Sequence, residues 1–144
     1  MDDLVKNRAA RRSHDEIVSN GQRLSAQEIE TVLAKHGSVA EAAVVGFPSP
    51  DKGEAIWAFV TPEHDVLATD VLAADLKGWI RREIGPHAVP EVVQFGPLPK
   101  TRAGEVVRPV LQRIAETGQP GDTAGLADTA AVDLLVKTRA DALA

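Results

Sequence analysis

Ile17-Val18-Ser19-Asn20-Gly21-Gln22-Arg23-Leu24-Ser25-Ala26-Gln27-Glu28-Ile29 is the stretch that decides the fold. Asn-Gly tolerates positive φ at both positions, so residues 17–24 predict two short extended segments joined by a tight hairpin turn. Ser25 and Glu28 then have capping-box spacing, and Leu24 and Ile29 take the staple positions on either side of the cap. A helix therefore starts directly after the hairpin. Ile29, Val32 and Leu33 mark its inward face, and Gly37 is the expected stop.

Working outward, Val39–Val45 reads as a strand, Gly46–Gly53 as a long turn and Ala55–Val60 as a second strand. A helix follows Thr69 with Leu72, Leu76, Trp79 and Ile80 along one face, and Gly85-Pro86 ends it. Val92–Phe95 predicts a short third strand. Residues 96–105 hold two prolines and two glycines and predict a loop. Pro109 suits the first turn of another helix, with Val110, Leu111 and Ile114 inward. Val132, Leu135 and Val136 mark a last short helix after a Gly/Pro/Asp/Thr-rich linker. Helices and strands mix without a regular βαβ alternation. The expected class is α+β: a small three-stranded sheet flanked by helices and preceded by a β-hairpin. The pattern leaves the strand order open. The expected division is a polar arm over 1–13, a domain over 14–116, and a linker with a short C-terminal helix over 117–144.

The 144 residues fit one domain, and 44% hydrophobic with 26% charged residues is enough for a globular core. Aromatics are only 3%, so aliphatic side chains must fill that core. The absence of cysteine excludes disulfides, thiol chemistry and cysteine-ligated metals. A net charge of -5 disfavours a nucleic-acid binder. Residues 1–13 carry both signs of charge and no apolar run, unlike a signal peptide, and no apolar stretch is long enough for a bilayer. A cytoplasmic location is expected. His14, His36, His64 and His87 lack metal-ligand spacing, so no metal site is expected.

Three segments in register resemble one family. Asp15–Leu24 leading into Glu28-Ile29-Glu30 resembles the hinge and hairpin that open the C-terminal domain of AMP-forming acyl-CoA synthetases. Val39–Gly46 followed by Lys52-Gly53-Glu54 resembles that domain's first core strands. Leu98-Pro99-Lys100-Thr101-Arg102-Ala103-Gly104 resembles the loop that bears its catalytic lysine. Trp79–Pro86 and the tail Gly121-Asp122-Thr123, Leu126-Ala127-Asp128 are similar to acetyl-CoA synthetases in particular. The resemblance implies two half-reactions. A carboxylate attacks ATP to give an acyl-adenylate and pyrophosphate; CoA thiol then gives the thioester and AMP. A large N-terminal domain holds the ATP and acyl pockets, and the small C-terminal domain offers a different face to each step. The 144 residues contain neither a Gly/Ser/Thr-rich phosphate loop nor an acyl pocket, so a detached C-terminal domain is expected, inactive by itself.

By register, Glu105 occupies the position of the family's catalytic lysine, which bridges the acyl carboxylate and the α-phosphate. One unit-charge contact at about 4 Å and an effective dielectric of about 20 is worth roughly 4 kcal/mol, and glutamate reverses its sign. The alternatives are that Lys100, the nearest lysine, substitutes, or that the loop register slips. Gly21 matches the family glycine beside the pantetheine channel, where no Cβ blocks the approach; by itself it is equally an ordinary turn glycine. Arg23 and Arg81 match arginines near CoA phosphates, which guanidinium forks suit; otherwise they are solvated surface arginines. His14 and Asp15 match the hinge. His14 departs from the acidic residue or lysine usual there, and read alone it is an exposed linker histidine. Pro109 departs from the basic residue common after Arg108.

The resemblance implies CoA and ATP or AMP as ligands of the complete reaction, none of them held by this chain alone. It implies as partners CoA and an adenylating N-terminal domain or full-length synthetase in trans, with neither nucleic acid nor membrane. Two readings follow: a non-catalytic accessory module, or a subunit of a split acyl-CoA ligase that completes thioester formation in trans.

Overall fold

The computed structural model describes residues 16–127 and 129–143. The hairpin forms as its turn chemistry demands. Strands β1 (Glu16–Ser19) and β2 (Gln22–Ser25) pair with Ser19 opposite Gln22, and Asn20 and Gly21 turn the chain at φ 53° and 77°. Helix α1 (Ala26–Ala34) follows at once, and Ser25 Oγ accepts the Glu28 N–H at 3.2 Å. Ser25→Ala removes that bond and is expected to lower stability by roughly 0.5–2 kcal/mol. Urea denaturation checks this; an unchanged midpoint would contradict the cap. The helix does not run to Gly37. Its last turn tightens instead, with Lys35 N–H on Val32 O (3.2 Å) and His36 N–H on Leu33 O (3.0 Å). His36 then ties the exit down: Nδ1 accepts the Ser38 N–H at 3.1 Å, and Nε2 lies 2.7 Å from Asp75.

Strand β3 (Val39–Ser49) and strand β4 (Gly53–Pro62) are longer than the sequence pattern suggests. The long turn expected over 46–53 shrinks to Pro50-Asp51-Lys52, because Gly46 through Ser49 stay in register with Ile56 through Gly53. Phe47 packs edge-on against Trp57 at 5.3 Å, which holds this end of β3 to the sheet. Pro48 is tolerated because β3 pairs only with β4 and its missing N–H faces an open edge. Helix α2 (Asp70–Glu83) is capped by Thr69, whose Oγ1 accepts the Leu72 N–H at 3.2 Å. A short turn of 3-10 helix, Pro86–Ala88, leads to β5 (Val92–Phe95), which runs parallel to β4. Helix α3 (Arg108–Thr117) carries Pro109 in its first turn, and Gly118 closes it at φ 80°. Helix α4 (Ala130–Leu143) has 14 residues, longer than the short helix expected, with Val132 and Leu135 buried.

The chain is α+β, as expected. The three strands β3, β4 and β5 form the core sheet, and the hairpin joins the same sheet through Ser19 opposite Gly53. The result is five strands, with the path β2-β1-β4-β3 and β5 beside β4. Helices cover both faces. Ile56, Ala58 and Val60 of β4 face α1 and α2, where Ile29, Leu33, Leu72, Leu76 and Ile80 pack. Trp57 and Phe59 face α3 and α4, where Leu111, Ile114 and Leu135 pack. A strand buried on both faces reads as an unbroken apolar run, which is why Ala55–Val60 shows no polar alternation. The polar arm expected over 1–13 lies outside the described residues.

Candidate functional site

The loop between β5 and α3 is a small hairpin with fixed geometry. Lys100 pairs with Val106 in an antiparallel bridge, Thr101 N–H donates to Glu105 O at 2.9 Å, and Glu105 N–H donates to Thr101 Oγ1 at 3.3 Å. Gly104 turns the chain at φ 87°, a conformation that disfavours any side chain, immediately before Glu105. The tail returns to this loop, with Leu126 bridged to Thr101 and Ala127 N–H on Lys100 O at 3.0 Å. Side chains alternate along such a ladder. Thr101 and Glu105 therefore share one side, and Lys100 and Val106 the other. Val106 packs on the α3/α4 core, while Lys100 Nζ makes an ion pair with Glu41 on β3. Glu105 is exposed, and no hydrogen bond or ion pair holds its carboxylate among the described residues. Lys100 is thus turned away from the position that Glu105 occupies.

The foot of the loop is anchored by a contact that sequence reasoning did not single out. Arg108 opens α3 and makes a two-pronged hydrogen-bonded ion pair with Glu30 of α1. Glu30 also accepts the Val44 N–H at 2.7 Å. Its side chain is 11% exposed and that of Arg108 30%. One carboxylate thereby joins α1, β3 and α3. A planar guanidinium fork matched to both carboxylate oxygens fixes direction as well as distance. The only local signal is that Glu30 follows Ile29 on the inward side of α1, and this does not reveal its partner.

Gly21 and Arg23 sit on the hairpin and Arg81 on the solvent side of α2. All three are exposed, and neither arginine side chain has a partner among the described residues. An added Cβ at Gly21 would meet nothing within 4 Å, so the chain itself leaves open space there. Its backbone requirement is the φ of 77°. The hairpin is locked to the sheet by Asn20 N–H on Lys52 O (2.8 Å) and Val18 N–H on Glu54 Oε1 (2.9 Å).

These residues do not form one constellation. The loop with Glu105 is tied to β3, at one edge of the sheet, while the hairpin lies at the opposite end of the path β2-β1-β4-β3. Arg81 belongs to the same helical layer that packs on the hairpin's Leu24. The chain therefore presents two separate surfaces, the loop with Glu105, where Arg102 is also exposed, and the hairpin with Arg23. His14 and Asp15 lie outside the described residues. Among the described residues no group of His, Asp and Glu could hold a metal ion, and no helix is long and apolar enough to cross a membrane.

Residues 28–105 match the family of the AMP-binding enzyme C-terminal domain. The acetyl-coenzyme A synthetase of Caulobacter vibrioides is 51% identical over 132 residues, which is 90% of this chain and 20% of that protein. That of Bradyrhizobium diazoefficiens is 49% identical over 131 residues, 89% of this chain and 20% of that protein. The crystal structure of a Brucella canis acyl-CoA synthetase superposes with a TM-score of 0.67 at 36% identity, covering 70% of this chain and 19% of that one. An amide bond synthetase of Marinactinospora thermotolerans superposes with a TM-score of 0.61 at 32% identity, covering 66% of this chain and 19% of that one. The chain spans about a fifth of the length of the curated relatives it matches.

Proposed function

Because the chain belongs to the AMP-binding enzyme C-terminal domain family, we propose that it acts as a synthetase C-terminal domain that has lost the adenylation function and retains the thioester-side surface. Glu105 carries this reading. It stands exposed at the position where the family resemblance expects a lysine, and Lys100 is engaged with Glu41 on the other side of the loop. A carboxylate there repels the α-phosphate that a cation would stabilise. The role that follows is that of an accessory module working beside an adenylating domain or a full-length synthetase, with the remaining four fifths of a synthetase supplying the ATP and acyl pockets.

A second reading is favoured by one observation. Gly21, Arg23 and Arg81 are all exposed, and neither guanidinium is paired among the described residues, as a CoA-facing surface requires. On that reading the chain is one subunit of a split acyl-CoA ligase and completes thioester formation in trans.

Both readings place CoA at the hairpin. Calorimetry with CoA is expected to give weak binding that disappears in Arg23→Ala/Arg81→Ala. Equal affinity of the two proteins would remove these arginines from the site.

A further inference from the structure

A cleft of about 480 Å³ lies over the outer edge of β5, between α2 and α4. It is distinct from both surfaces described above. Its walls are cut back by small side chains, Ala73 and Ala74 on one side and Ala142 on the other. Its floor is the edge of a strand. β5 pairs only with β4, and at the end of their ladder Gly96 N–H donates to Val60 O at 3.0 Å. In a parallel ladder alternate residues turn their main-chain groups the same way, so Val92 and Gln94 share Gly96's direction toward β4, while Val93 and Phe95 turn theirs away from it. No other strand receives them among the described residues.

Gln94 adds a second, independent sign of a missing partner. Its residue is 1% exposed, and Nε2 donates to Leu135 O (2.7 Å) and Thr138 Oγ1 (3.1 Å), but Oε1 is buried with no partner. Buried polar groups are normally satisfied, and those that are not call for a group that comes from elsewhere.

Charge selects the kind of group. Asp70, Glu91 and Asp141 line the cleft against Lys77 alone. Glu91 is matched by Lys52 at 2.7 Å, and Lys77 Nζ donates to Glu91 O at 3.3 Å. Asp70 and Asp141 have no ion-pair partner among the described residues. Leu67 and Val71, which flank the lining residues Ala68, Thr69 and Asp70 in the chain, are 80% and 79% exposed, a heavy apolar exposure for two neighbouring positions.

We infer that this cleft receives an extended peptide segment of another polypeptide, which adds to the open edge of β5 through its backbone and places basic side chains against Asp70 and Asp141. Apolar side chains between the basic ones would cover Leu67 and Val71. Main-chain bonds to an edge strand supply affinity in this mode, and alternate side chains supply selectivity.

The test uses the full chain and a blocked pentapeptide of alternating lysine and valine, followed by amide NMR. The expected result is shifts centred on Val93, Phe95 and Thr138, with binding roughly tenfold weaker in Asp70→Asn/Asp141→Asn. The same peptide with N-methylated backbone amides loses the donors that an edge strand needs, so its shifts should vanish. Three results would each overturn the inference: methylated and unmethylated peptides acting alike, butylamine reproducing the shifts, or Val93 and Phe95 staying unmoved up to the peptide's solubility limit.

Discussion

Glu105→Lys is expected to raise acetate-dependent pyrophosphate exchange by roughly 10²-fold when the chain is joined to the remaining four fifths of a relative such as the Caulobacter acetyl-CoA synthetase. The substitution restores a cation at the tip of a loop whose backbone is already fixed by Thr101 and Gly104. The donor does not have to be built, only its sign corrected. Lys100→Ala should leave exchange near the starting level, because that ammonium is paired with Glu41 on the opposite side of the loop. Pro109 holds the recovery below the level of the relative itself, since no basic residue follows Arg108. An associated assembly in which Glu105→Lys leaves exchange unchanged would mean that the loop register is wrong or that the lost lysine is not the main defect.

Glu30→Ala is expected to destabilise the chain by about 3 kcal/mol. The substitution removes the carboxylate that pairs with the Arg108 guanidinium and accepts the Val44 N–H. It also loosens the start of α3, where Val107 provides no side-chain cap. Glu30→Gln keeps an acceptor for Val44 and loses the charge, so about 1–2 kcal/mol is expected. Urea unfolding of both variants and of Arg108→Ala measures this. Values within about 0.5 kcal/mol of the wild type would be those of ordinary surface positions and would contradict the anchor.

Sequence reasoning reached the features whose causes lie within a few residues. Asn20-Gly21, Ser25 with Glu28, and Thr69 each fix a turn or a helix start through bonds to near neighbours, and all three appear where expected. The boundaries it missed depend on distant contacts. β3 continues past Gly46 because Phe47 meets Trp57 across the sheet, and α1 stops before Gly37 because its own last turn tightens. The candidate site divides the same way. Glu105 is located by its distance along the chain from Gly104 and Lys100. That Lys100 faces Glu41, 59 residues away, and Arg108 faces Glu30, 78 residues away, belongs to the packing alone. The separation of the loop from the hairpin likewise follows from the strand order, which an apolar pattern leaves open.

The loss of adenylation with retention of the thioester surface is tested most directly by measuring both half-reactions on one assembly of the wild-type chain with an adenylating domain. Acetate-dependent pyrophosphate exchange reports the loop with Glu105. Conversion of supplied acetyl-adenylate and CoA to acetyl-CoA reports the hairpin with Gly21, Arg23 and Arg81. The predicted result is thioester formation with little exchange. Vigorous exchange by the wild-type assembly, with Glu105 in place, would contradict the account.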